Sequence, residues 1–102
     1  MNIYLDVEDA AANGPVKRVA RSLITEIFGD DPRIVAITIE LAPARKQWAV
    51  TLRIRTIWPA LIEVEAREES ATVALRQALR KGHRSVQRAS RRQAAPLVMA
   101  RA

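Results

Sequence analysis

The stretch LIEVEAREESATVALRQALRKGHRSVQRASRRQ, residues 61–93, decides the fold. From Leu61 to Glu68, apolar Ile62, Val64 and Ala66 alternate with charged Glu63, Glu65 and Arg67, the period of a half-buried strand. At Ser70 the period changes. Leu75, Ala78, Leu79, Gly82, Val86 and Ala89 then recur at helical spacing as a narrow apolar stripe. Ser70 suits an N-cap, and Glu68-Glu69 just before it favour the positive end of the helix dipole. Gly82 costs a helix interior about 1 kcal/mol relative to alanine, so its presence points to close packing. The helical pattern is expected to persist to about Gln93 and to end at Pro96, leaving residues 94–102 as a disordered tail.

Upstream, Trp48 to Ile57 reads as a strand with Trp48, Val50, Leu52 and Ile54 on one face and Thr51, Arg53 and Arg55 on the other. Trp58-Pro59-Ala60 turns the chain into the strand at Leu61. On the outer face, Arg53 and Arg55 are expected opposite Glu63 and Glu65, a charge-balanced solvated surface. Ile34 to Leu41 is a further strand, with Val35, Ile37, Ile39 and Leu41 on its core face, and Ala42 to Gln47 a polar loop carrying Arg45 and Lys46. Before it, Gly14-Pro15 reads as N-cap and N1 of a helix. That helix turns Val16, Val19, Ala20, Leu23 and Ile27 inward and closes at Gly29, ahead of the Asp30-Asp31-Pro32 turn. Ile3, Leu5 and Val7 mark the first strand.

The resulting order, β-α-β-β-β-α, predicts an α+β two-layer sandwich: a four-stranded mixed sheet with both helices on one face, forming a single domain over residues 1–93. The first two strands, joined through a helix, should be parallel, and the hairpin-linked ones antiparallel. Apolar residues on one parity of each strand leave the other sheet face to water.

Five arginines, Arg76, Arg80, Arg84, Arg88 and Arg92, stand at every fourth position of the last helix. Side chains so spaced are neighbours about 6 Å apart along the axis, which makes a cationic ridge about 24 Å long. Mutual repulsion costs the isolated helix about 1–2 kcal/mol, so the row implies an anionic partner. Lys81 and Arg91 flank it, and Lys17, Arg18 and Arg21 lie off the core face of the first helix. The chain carries +6 overall, but all eleven acids lie between Asp6 and Glu69, against nine Lys/Arg there. Residues 70–102 hold eight Lys/Arg and no acid. A GC-rich coding bias could raise arginine over lysine, fourteen to three, yet it would not stop the acids at Glu69. The asymmetry points to nucleic acid or an anionic surface, and the narrow apolar stripe disfavours a membrane.

Catalysis finds no support. Cysteine is absent, excluding thiolate metal sites and disulfides. His83 is the only histidine, among Arg80, Lys81 and Arg84, and reads as a helix-surface residue. Glu63 and Glu65 face arginines, Glu68 and Glu69 precede a helix, and the three glycines are too scattered for a phosphate loop. No metal, cofactor or small-molecule substrate is expected. The N-terminus has no basic n-region and no stretch approaches 18 apolar residues, so a cytoplasmic protein is expected. Trp48, Trp58 and Phe28 read as structural, leaving Tyr4 as the outward aromatic, too little for base stacking on the sheet. RNA would therefore be met through phosphate and shape, by helical arginines.

The strand Ile62-Glu63-Val64-Glu65-Ala66-Arg67, the link Glu68-Glu69-Ser70, the opening Ala74-Leu75-Arg76 and the basic run to Arg92 resemble the ribosome hibernation promoting factor and ribosome-associated inhibitor A family. The first helix, followed by a turn and Ile34-Val35-Ala36-Ile37, is similar to the family's crossover, so the likeness spans about residues 1–93. Thr72, Arg76 and Gly82 depart from it, where an aromatic, an acid and a leucine are usual. The resemblance implies a divergent short form without the dimerisation domain of the long forms, read as a monomer off the ribosome. It also implies binding to small-subunit ribosomal RNA near the mRNA and tRNA sites, and suppression of translation in resting cells. Lys17, Arg18, Arg21, Lys81, Arg84, Arg88, Arg91 and Arg92 would be the matching contact positions. A generic double-stranded RNA-binding module and a protein-interaction module using the open sheet face are the alternatives.

Overall fold

The computed structural model describes residues 1–9, 11–58 and 61–92 with their side chains. Its elements are β1 (Asn2–Val7), α1 (Asn13–Phe28), β2 (Ile34–Ala44), β3 (Gln47–Thr56), β4 (Leu61–Glu68) and α2 (Ala71–Arg101). The expected helix stop at Pro96 and the tail at 94–102 lie outside the described residues. Strands follow one another across the sheet in the order β1-β2-β3-β4. β1 and β2 are parallel, and the other two pairs antiparallel. This is the expected mixed sheet with two helices on one face.

Alternation in the strands becomes the core directly. Ile37, Ile39 and Leu41 of β2, Val50, Leu52 and Ile54 of β3, and Ala66 of β4 are buried beneath Ala20, Leu23, Ile24 and Phe28 of α1 and Ala74, Leu75, Ala78, Leu79 and Val86 of α2. Val35 is the exception. The register slips between Ile34, opposite Thr56, and Ala36, opposite Arg55, so Val35 is the extra residue and points outward, 41% exposed. Ile34 takes the buried place expected for Val35.

The expected polar loop at 42–47 is mostly strand. β2 runs on to Ala44, β3 begins at Gln47, and Arg45-Lys46 alone make the turn. β1 ends at Val7 opposite Leu41, so β2 beyond that point pairs only with β3. Pro43, lacking an N–H, is tolerated on that half-open stretch. α1 starts slightly earlier than expected. Its N-cap is Ala12, with no side-chain cap, while Asp9 Oδ1 accepts from the N–H of Ala11 (2.9 Å) and Ala12 (3.3 Å). Pro15 thus sits third in the helix, still within the turn whose N–H groups have no intrahelical partner. Gly29, at φ 58°, closes α1 by donating its N–H to the Thr25 carbonyl at 3.0 Å.

α2 is started by Ser70, whose Oγ accepts from the Val73 N–H at 3.4 Å. Its decisive residue is Gly82. A Cβ there would stand 2.7 Å from Leu52 Cδ2 and 2.8 Å from Ile54 Cδ1, two core side chains without solvent exposure. The missing side chain is what allows α2 to lie this close to β3. Gly82→Leu, the residue usual in the resembled family, should therefore lose about 3 kcal/mol of stability through overpacking, despite leucine's better helix propensity. Urea unfolding followed by far-UV circular dichroism measures the change; an unchanged midpoint would mean that the close approach is not needed.

Candidate nucleic-acid interface

The arginine row of α2 and its buried row share one period. Ala74, Ala78, Gly82 and Val86 are buried at every fourth position, and Arg76, Arg80, Arg84 and Arg88 follow each of them by two. Two residues correspond to about 200° around a helix, so each arginine projects nearly opposite a residue pressed on the sheet. Both rows drift by about 40° per step. They drift together, and the ridge keeps to the solvent crest of α2 as its buried row follows the twisted sheet.

Arg76, Arg80, Lys81, Arg84, Arg88, Arg91 and Arg92 are all exposed. Among the described residues, ion pairs form at Arg33 and Arg53, and no cation of α1 or α2 makes one. The crest is thus a run of positive charge with no internal neutralisation. On α1, Arg18 and Arg21 are exposed and Lys17 is half-buried, so the structure keeps these three off the core as expected.

Where α1 ends, the two helices meet over an open groove of about 570 Å³ lined by Ile27, Gln77, Arg80, Lys81, His83 and Arg84. His83 is not the plain surface residue expected from its charged neighbours. It is half-buried, and its ring meets Phe28 edge-on, with centroids 5.4 Å apart and planes at 80°. Its place is therefore in the helix–helix contact, at the border of the basic surface. Periodicity alone could have found this, because His83 lies one turn beyond buried Leu79.

The opposite face of the sheet is differently charged. Arg53 reaches both neighbouring strands, with Nη1 donating to Glu40 Oε1 (2.7 Å) and Nε to Glu63 Oε2 (3.3 Å). The expected Arg55–Glu65 partnership does not form. The register puts Arg55 between Ala36 and Leu61, and Glu65 opposite Thr51. Asp6, Glu40, Thr51 and Glu65 instead make one cross-strand row, acidic through the middle of the face. Among the described residues, no group of three or more His, Cys, Asp or Glu could hold a metal. No helix of the described residues is long and apolar enough to cross a membrane.

No protein-family model and no curated protein matches the sequence. Solved structures do match the fold. One is a ribosomal subunit interface protein from Coxiella burnetii, with a TM-score of 0.78 at 11% identity over 88% of this chain and 98% of that one. Another is the N-terminal domain of Protein Y from Thermus thermophilus, with a TM-score of 0.61 at 19% identity over 86% and 98%. At such identities the likeness establishes the shared fold, and what this chain binds must be argued from its own surface.

One charge beside the helix–helix groove supports the scaffold. Arg33 donates to Asp31 from Nε (2.9 and 3.1 Å), Nη2 (2.6 Å) and its backbone N–H (2.9 Å). These bonds hold the Asp31 carboxyl below the usual carboxylate range, against the opposing effect of burial, with a smaller contribution from His83. A depressed folded pKa means stability that is present above the ordinary carboxyl value and is lost as pH falls through the folded one. Asp31→Asn should lower the melting temperature at neutral pH, by the equivalent of about 1 kcal/mol. The gap from wild type should shrink as pH falls below the ordinary aspartate range and through the depressed folded value. Thermal unfolding across that range checks it, and a gap independent of pH would exclude the ion pair as its source.

Proposed function

We propose that this chain is a non-enzymatic, ribosome-associated factor that binds small-subunit ribosomal RNA through its basic helices and modulates or silences translation, as hibernation factors do. The observation that carries this reading is the crest of α2, where exposed arginines recur along about 24 Å without a described carboxylate partner. A row of cations at this rise suits successive phosphates of a structured RNA, and guanidinium groups suit phosphate better than ammonium groups do. Arg76, Arg80, Arg84, Arg88 and Arg92 are its principal contacts. Lys81 and Arg91 extend it on α2, and Lys17, Arg18 and Arg21 on α1. One structural match carries the name of a ribosomal subunit interface protein, which supports the ribosome as the place of binding. A ribosomal partner implies a cytoplasmic setting.

The alternative of a protein-interaction module draws on the open sheet face, where Tyr4 and Leu61 are 57% and 61% exposed near Arg53 and Arg55. Loss of a protein partner on changing Arg53 and Arg55, but not Arg84 and Arg88, would favour it.

Co-sedimentation with ribosomes at rising salt tests the main reading. Wild-type protein should pellet with small subunits at low salt and be released steeply as salt rises. Replacing Arg84 and Arg88 with glutamine should weaken binding at least tenfold. The melting temperature should be unchanged or slightly higher, since each removed like-charge pair relieves about 0.2–0.5 kcal/mol. Absence of co-sedimentation at low salt would overturn the proposal, and a large fall in melting temperature would make the ridge structural.

A further inference from the structure

The tight β2–β3 turn departs from what its geometry prefers. Arg45 has φ 59°, the only described residue other than glycine with a positive value. Two-residue hairpins put glycine, asparagine or aspartate at such positions, because a β-carbon is strained there. An arginine kept in that conformation suggests that its charge serves a purpose at the tip. Lys46 is the second turn residue and is exposed like Arg45. The cross-strand register brings Arg67 of β4 opposite Ala49, just below them. Arg45, Lys46 and Arg67, with Ala44, Gln47 and Glu69, line an open cleft of about 800 Å³. None of the three cations forms an ion pair among the described residues.

This corner is separate from the crest of α2. Arg67 shares the parity of Glu63 and Glu65 and so belongs to the open face of the sheet, whereas the arginine ridge faces solvent beyond the helices. The two basic surfaces are therefore divided by a sheet layer and a helix, roughly 20 Å. Asp6 and Glu65 flank Glu40, which is already tied to Arg53, in the middle of the open face, so a polyanion is drawn to the hairpin corner more than to the row beside it. Charge confined in this way fits a short contact with a phosphate backbone, not a long track.

We propose that Arg45, Lys46 and Arg67 form a second phosphate-binding site, which takes the backbone of a second RNA segment on the face opposite the helical crest. The site rests on the reading of the chain as an RNA-binding factor and adds to it that the protein is gripped from two sides. The strained turn holds two adjacent cations at the tip, while the small residues Ala42, Ala49 and Ala44 leave Arg67 and the cleft open.

Ribosome binding measured against salt tests this with two variants. Arg45→Gln, Lys46→Gln and Arg67→Gln combined should make the log–log salt dependence shallower by about 2, at roughly 0.7–0.9 for each phosphate no longer neutralised. Arg45→Gly alone should reduce affinity several-fold while leaving the melting temperature unchanged or raised, a pattern that a purely structural turn residue would not give. Wild-type affinity and slope in both variants, with binding still weakened by the Arg84 and Arg88 changes, would overturn this site and leave the main reading intact. Failure of wild-type protein to bind ribosomes would overturn both.

Discussion

The contact between Gly82 and the side chains of Leu52 and Ile54 governs how the two layers of this protein meet. Without a Cβ at that position, α2 settles onto β3 at Gly82, in line with buried Ala74, Ala78 and Val86, while Leu75 and Leu79 are buried beside that line. A closely seated helix covers the middle and one side of a narrow sheet, and α1 then covers the rest with Ala20, Leu23, Ile24 and Phe28. The same seating fixes the rotation of α2. Because its arginines trail the small residues by two, holding one row against the sheet aims the other outward along its length. Packing and charge presentation are set by one choice of helical phase.

Much of this was legible in the residues. The alternation through Ile62, Val64 and Ala66 and the later stripe at Leu75, Leu79 and Val86 gave a strand and a helix on sound physical grounds, since the two periods are hard to confuse over such lengths. Gly29 and Ser70 marked helix ends through properties that belong to single residues. What escaped depended on pairing between distant segments. Val35 looks inward if β2 is regular, and only its partners Thr56 and Arg55 reveal the bulge. Arg55 and Glu65 are complementary in charge, yet register alone decides whether they meet, and it places Leu61 opposite Arg55. His83 seemed exposed because its sequence neighbours are charged, whereas its spatial neighbour is Phe28, more than fifty residues away. The basic residues were visible in the sequence, and strand parity already gave Arg67 to the open sheet face; the two-residue turn that brings Arg45 and Lys46 to the same corner was not.

The two faces differ in how they handle charge. On the sheet, Arg53 is spent within the molecule, tying Glu40 of β2 and Glu63 of β4 across β3. Such exposed pairs add little stability, but they favour one register over its neighbours. On α2 no such tie forms among the described residues, so positive potential extends into solvent and can draw in an anion from a distance. Internal pairing at the centre of the sheet face, against unpaired cations along α2 and at the β2–β3 corner, makes the charge uneven over the molecule, although its formal charge of +6 alone would suggest a uniformly basic protein.

The parallel seam between β1 and β2 bears on the order in which the chain assembles. β2, β3 and β4 meet through short connections, and α2 follows β4 after only two residues, so this part closes small loops. β1 must instead find partners 34 positions later, as Asn2 finds Ala36, with all of α1 in between. Closing that longer loop carries a larger entropy loss than any hairpin of the sheet, so the β1–β2 seam is the costlier pairing to close. During synthesis β1 precedes β2 by all of α1 and has no β2 edge to pair with until that strand follows. The charges of Asp6 within β1 and Glu8 just past its end oppose pairing with another copy.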